Sequence, residues 1–183
     1  MKISTSEVKK GTILKIDGQL YKVTDTAHTH MGRWGATDRY KVKDIVTGKV
    51  NNFTYNAWAI LEQAEVSTNN AVYLYHAGNT YTFMENDTGE MYDLDIAMVD
   101  DITGYLKENM DCYLTVYNGN VIGVILPATV SYTITSTVPG VKGDRAQAGK
   151  KPATLETGLE VMIPLHKNEG DTILLNTLTG EAA

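Results

Sequence analysis

The sequence predicts an all-β protein made of small barrels or sandwiches, and three observations carry that prediction. Turn-forming pairs recur along most of the 183 residues: Asp17-Gly18, Thr47-Gly48, Gly78-Asn79, Thr88-Gly89, Asn118-Gly119, Gly170-Asp171 and Thr179-Gly180. The runs between them are short and rich in β-branched and aromatic residues, the side chains that suit a half-buried pleated surface. Only one segment has convincing helical spacing. At about 150 residues per domain the length allows one or two domains, and several small barrels are equally compatible with it.

In chain order, Tyr21 to Thr24 is the first clear strand and Arg39-Tyr40-Lys41-Val42-Lys43 is a basic one. Between them lies His30-Met31-Gly32-Arg33-Trp34-Gly35-Ala36. Its two glycines permit a tight, projecting hairpin tip, and Arg33 offers there a planar, permanently charged fork suited to phosphates. Trp34 either stacks on a base or ribose face or folds back to seal the barrel. Tyr73 to Tyr75, Thr80 to Met84, Tyr113 to Tyr117 and Val121 to Leu126 read as further strands. Ile96, Val99, Ile102 and Leu106 fall at helical spacing behind Asp95, a candidate N-cap, but Gly104 limits the helix to a short connector. After Pro127, Val130, Tyr132, Ile134 and Ser136 alternate with Thr129, Ser131, Thr133 and Thr135, the period of a strand with one apolar face. The Gly-rich stretch from Pro139 to Pro152 is a loop, and Lys142, Arg145, Lys150 and Lys151 make it basic. It suits either contact with a polyanion or plain exposure to solvent. No internal repeat is visible.

With 43% hydrophobic and 21% charged residues, the chain is neither disordered, collagen-like nor a disulfide scaffold. The net charge of −6 is unevenly placed. Residues 1–64 hold 10 basic and 6 acidic side chains, 65–127 hold 1 (Lys107) and 10, and 128–183 hold 5 and 6. A basic first segment and a strongly acidic second one favour selective contact with an anionic partner over uniform coating. The start, Met-Lys-Ile-Ser-Thr-Ser-Glu, reads as mature sequence, and no apolar run approaches a membrane span, so a cytoplasmic location is expected. Cys112 has no possible bridge partner and reads as a buried small hydrophobe.

Catalytic signatures are missing from the sequence: no phosphate-binding loop, dinucleotide fingerprint, nucleophile elbow or zinc-protease motif is present. His28 and His30 share one face of an extended segment, but nothing nearby completes a metal site. Asp93, Asp95, Asp100 and Asp101 lack calcium-loop spacing and read as a solvated acidic face. The expectation is therefore no catalytic residues, no metal and no cofactor.

Four blocks carry a resemblance: Asn118 to Pro127, then Pro139-Gly140-Val141-Lys142-Gly143-Asp144, then Lys151-Pro152-Ala153-Thr154-Leu155-Glu156-Thr157-Gly158, and finally Asn168-Glu169-Gly170-Asp171. In this order and spacing they resemble the C-terminal signature of bacterial translation elongation factor P. Tyr73-Leu74-Tyr75, Tyr81-Thr82-Phe83-Met84 and the Thr47-Gly48-Lys49 turn extend the resemblance along nearly the whole chain. It implies an N-terminal SH3-like (KOW-type) barrel over 1–64 and two OB-fold barrels over 65–127 and 128–183, in an elongated, tRNA-like monomer. The implied function is that of an elongation factor, not an enzyme, bound to the ribosome between the P and E sites. There it positions P-site peptidyl-tRNA and promotes peptide-bond formation at consecutive prolines. Gly32, Arg33, Trp34 and Gly35 then form the tip toward the peptidyl transferase centre, with ribosomal RNA as a further partner. Gly143, Asp144 and Arg145 form a loop toward the small subunit and E-site mRNA.

This chain departs from the family pattern in places. The tip lacks the usual proline and carries Trp34, Arg145 stands where Thr is common, and the end, Thr179 to Ala183, lacks the usual aromatic and basic residues. Arginine has no primary amine, so Arg33 is either glycosylated by an Arg-modifying enzyme or left bare. The competing expectation is a general single-strand RNA-binding OB-fold module, which binds free RNA with steep salt dependence.

Overall fold

A computed structural model describes residues 1–30, 32–140 and 149–183, with the Trp34 side chain excepted. Its regular structure is almost entirely strand, arranged in three sheets that follow one another along the chain. Every turn named above joins or flanks strands, because Asp17, Asn118 and the glycines at 18, 48, 78, 89, 119, 170 and 180 take positive φ. Few other residues adopt that conformation cheaply.

The first sheet has the order β1 (Lys2–Ser4), β6 (Ile60–Gln63), β2 (Ile13–Ile16), β3 (Gln19–His30), β4 (Ala36–Asp44), β5 (Val50–Asn56). Ile3, Leu14, Tyr21, Val23, Tyr40, Val42 and Leu61 fill its core, with Phe53 edge-on to Tyr21 at 5.4 Å. The second sheet is ordered β11 (Asn120–Ile125), β10 (Met110–Tyr117), β7 (Ser67–Ala77), β8 (Thr80–Glu85), β9 (Met91–Asp95). The third is ordered β14 (Glu160–Pro164), β13 (Lys150–Leu155), β12 (Thr129–Thr137), β15 (Thr172–Asn176).

The chain divides into two compact units, 1–69 with 114–123 and 70–113 with 124–183. In the first, Tyr117 and Ile122 of the β10–β11 hairpin pack on Ile13, Ile45 and Ala64. In the second, β12 alternates as its sequence predicts, with Tyr132 and Ile134 buried, until a bulge between Ile134 and Ser136. Residues 129–133 pair with β15, and the strand beyond pairs with β13. A bulge bends a strand, which lets β12 serve both neighbours of a curled sheet.

The expected connector helix is shorter than its spacing suggests. Asp95 does cap it, accepting from Ala97 N at 2.9 Å, but α1 covers only Ile96–Val99, and Thr103–Tyr105 forms a separate 3-10 turn. Gly104 allows that tighter turn to lie against Leu159, where a Cβ would stand 3.1 Å from a leucine methyl. Lys107, the single base of the acidic segment, serves structure: its Nζ donates to Ser131 O (2.7 Å) and Glu156 Oε1 (3.3 Å) and sits 5.1 Å from the Tyr132 ring centre. Cys112 is buried as expected, and burial, followed by the nearby Asp111 charge, pushes its thiol up to about 12. Lys151 differs from expectation. Strand alternation turns it inward, 4% exposed with no hydrogen-bond partner for Nζ, so it cannot join Lys150 in a solvent-facing basic loop.

One repeat escaped the sequence reading. Asp44 to Lys49, Glu85 to Glu90 and Asn176 to Glu181 form the same hairpin turn, each with a glycine in its fifth position donating to the first residue's carbonyl (2.9, 2.9 and 2.8 Å). In each, the preceding threonine hydroxyl accepts from the sixth residue's amide (3.3, 3.2 and 3.3 Å).

Candidate functional site: the β3–β4 tip

The register of β3 on β4 runs from Tyr21 opposite Asp44 to His30 opposite Ala36, with a bulge between Val23 and Asp25. Beyond that bulge all six β3 residues, Asp25 to His30, are exposed, whereas β4 continues to bury every second side chain. The outer hairpin is therefore fixed from its β4 side. Tyr40 OH donates to Thr5 O (2.8 Å), Thr5 Oγ1 donates to Ala57 O (2.5 Å), and Ala57 N donates to Ala36 O (3.0 Å). The chain of contacts ends one residue short of Gly35.

Asp38, 8% exposed, is part of the same support. His28 Nδ1–H donates to its Oδ1 at 2.5 Å. Burial pulls the Asp38 carboxyl upward, but the His28 ring and the Thr5 hydroxyl outweigh it and hold the pKa below the usual carboxylate range. His28 is thus engaged through Nδ1, and His30 lies 5.9 Å away, ring to ring. Among the described residues no group of three or more His, Cys, Asp or Glu is placed to hold a metal ion.

At the tip itself Gly32–Trp34 forms a single 3-10 turn between two glycines of positive φ, +45° at Gly32 and +87° at Gly35. Gly32 and Arg33 are exposed. Of the residues expected to act together, Gly32, Arg33 and Gly35 are therefore brought to one turn. The Trp34 side chain lies outside the description, as do Met31 and the second expected site, Gly143, Asp144 and Arg145. On β4, Arg39 and Lys41 share the exposed face and stand opposite Thr54 and Asn52 of β5. This arrangement can present cations to a polyanion; among the described residues of the tip no nucleophile-and-base pair is placed for bond chemistry.

Sequence reading missed Trp58. It lies in the turn after β5, is 70% exposed, and touches the tip: a Cβ placed on Gly35 would fall 2.9 Å from Trp58 Cη2. Gly35 is thus required twice, for its positive φ and for this close approach. Nothing local in Asn56-Ala57-Trp58-Ala59 signals the contact, which only the pairing of β4 with β5 creates.

Three family models match the chain in sequence: Elongation factor P (EF-P) KOW-like domain over residues 4–59, Elongation factor P (EF-P) OB domain over 66–124, and Elongation factor P, C-terminal, over 130–181. Elongation factor P of Mycolicibacterium vanbaalenii is 40% identical over 177 residues, covering 97% of this chain and 95% of its own. That of Clavibacter michiganensis subsp. michiganensis is 39% identical over 178 residues, with the same coverage. Among solved structures, eukaryotic translation initiation factor 5A from Methanococcus jannaschii aligns with a TM-score of 0.48 at 19% identity, covering 68% of this chain and 94% of its own.

Proposed function

The chain belongs to the elongation factor P family of translation factors, and from that premise we propose that it binds the ribosome between the P and E sites and acts there through Arg33. The observation that carries this reading is an exposed arginine, flanked by glycines, at the end of a hairpin whose outer half is braced from one side only.

In this reading Arg33 reaches toward the peptidyl transferase centre and holds the end of the P-site peptidyl-tRNA. Peptide-bond formation at consecutive prolines is slow because the reacting groups are poorly placed. A factor that restricts the tRNA end lowers that barrier by orientation alone, with no acid, base or nucleophile of its own. The reaction belongs to ribosomal RNA, so the protein acts as a positioning factor without cofactor or metal, as a cytoplasmic monomer. The exposed Arg39 and Lys41 supply further phosphate contacts along the same hairpin. The domains are proposed as 1–64, 65–127 and 128–183, supported by the gaps between the three sheets and between the three family matches. The loop at Gly143, Asp144 and Arg145 is proposed to face the small subunit and E-site mRNA. Arg33 works either bare or glycosylated by a dedicated enzyme, and intact mass with peptide mapping of natively expressed protein separates the two.

The test is dipeptide synthesis on ribosomes programmed with proline pairs. Arg33→Ala is expected to keep the fold and lower the proline-pair rate, with little change at ordinary pairs. Equal rates for mutant and wild type would remove Arg33 from the mechanism. A protein that instead retains isolated single-stranded RNA tightly, with a steep salt dependence, would be a general RNA-binding module.

A further inference from the structure

Trp58, in the turn that follows β5, is the largest exposed aromatic of the first 69 residues among the described side chains, and its placement is not that of a core residue that failed to bury. Its backbone is fixed on both sides: Ala57 bonds Ala36 and Thr5, and Ala59 N donates to Asn56 O at 2.9 Å. From this rigid turn the indole reaches Gly35. Measured from a Cβ on Gly35, Cη2 lies at 2.9 Å while the flanking Cζ3 and Cζ2 lie at 3.6 and 3.8 Å. A ring laid face-down would hold all three at nearly equal distance. The ring therefore points the Cη2 end of its benzo edge at the Gly35 position.

We infer that Trp58 is a stacking platform for one unpaired nucleotide of the RNA that Arg33 reaches. This rests on the proposed action of the tip and names a second contact of the same site. Three features support an RNA occupant. The indole is 70% exposed on a fixed backbone, so it is available without ordering a loop. Arg33 stands two residues from the glycine it touches, and Arg39 and Lys41 are exposed on the adjoining strand, so the surroundings favour a phosphate chain. A base laid on an indole beside a guanidinium is the common mode of single-strand recognition, with stacking from the aromatic and phosphate contact from the cation. An apolar protein partner would find only Ile60 as an exposed large hydrophobe on the strand that follows.

The platform and a simple brace make different predictions. A brace needs reach to Gly35, which leucine and phenylalanine both shorten; a platform needs a π face, which leucine lacks and phenylalanine keeps. Proline-pair dipeptide rates are measured on complete ribosomes across a range of factor concentrations for wild type, Trp58→Leu, Trp58→Phe and Arg33→Ala, with thermal unfolding recorded for each. Trp58→Leu is expected to lower the maximal rate roughly fivefold or more, the low end of what one base–aromatic stack contributes. Trp58→Phe is expected to stay within about twofold of wild type, as a retained π face requires. If Trp58→Leu matches wild type while Arg33→Ala is impaired, the tip acts as proposed and the platform is overturned. If both leucine and phenylalanine variants lose rate equally, shape rather than stacking is at work and the platform is again overturned. If Arg33→Ala itself matches wild type, the reading of the tip falls first and the platform with it.

Discussion

The two ends of β4 make opposite use of the same strand. At its C-terminal end Asp44 closes the turn on itself: its carboxylate accepts from Val46 N and Thr47 N at 2.8 and 2.9 Å, and its carbonyl accepts from Gly48 N. At its N-terminal end the turn carries an exposed Arg33 between two positive-φ glycines, braced from outside through Ala57, with the Trp58 ring beside Gly35. A turn that satisfies its own backbone has no group left to offer a partner. A turn held by its neighbours can direct a side chain outward, which suits the role proposed for Arg33, whereas Asp44 serves its own turn.

The contrast is broken or sharpened most strongly by exchanging the two effects. Arg33→Ala should cost on the order of tenfold or more in proline-pair rate, because small losses of orientation are large in rate. Its unfolding temperature should not move. Asp44→Ala should do the reverse, destabilising by about 1–2 kcal/mol through two orphaned amides while leaving the proline-pair rate unchanged. Thermal unfolding and dipeptide assays on the same two samples decide it, and a stability loss in the Arg33 variant would end the division. Asp44→Asn sharpens the point. Asn176 already fills this role in its own turn, accepting from Leu178 N and Thr179 N at 2.9 and 3.1 Å, so this variant should lie within about 0.5 kcal/mol of wild type.

Gly35 joins both halves of the comparison. At φ +87° a Cβ adds strain of about 1–2 kcal/mol, and it also displaces the Trp58 ring. Gly35→Ala should therefore lower both the unfolding temperature and the proline-pair rate. Gly48→Ala, with comparable φ of +72°, should lower only the first.

The sequence made the turns legible because positive φ admits so few residue types, and it made β12 legible because one face is buried along the stretch before the bulge. In sequence the threefold hairpin shows only as three Thr-Gly pairs, because Asp44, Glu85 and Asn176 fill its first position with different chemistry and the backbone bonds that unite the turns leave no other signature. Lys151 was misjudged because composition cannot say which members of a Lys-Lys pair face inward; pairing with Ile163 decides it. At the tip, local spacing made the glycine-flanked turn at Gly32 and Arg33 legible, while the role proposed for Arg33 came from the family resemblance. Trp58 and Thr5 were not legible, since each reaches the tip through contacts between segments far apart in sequence, and Asp38 was not, since its bond to His28 depends on the β3–β4 register.

The smallest expected effect concerns the support beneath the tip. Asp38 has a folded pKa below its ordinary value of about 3.9, so in that window the unfolded chain binds more protons than the folded one. Its contribution is present above the ordinary carboxylate pKa and is lost as pH falls through the lower, folded value. Asp38 faces His28 from β3, Thr5 from the N-terminal 3-10 turn and Tyr55 across β5. Asp38→Asn keeps the shape and removes the charge. Its stability should therefore fall less steeply than wild type's as pH drops below the ordinary carboxylate pKa, with the two curves running parallel at neutral pH. Parallel curves throughout the acid limb would mean that the His28 contact holds the ring without lowering the carboxyl. The outer hairpin would then be braced by Thr5 and Ala57 alone.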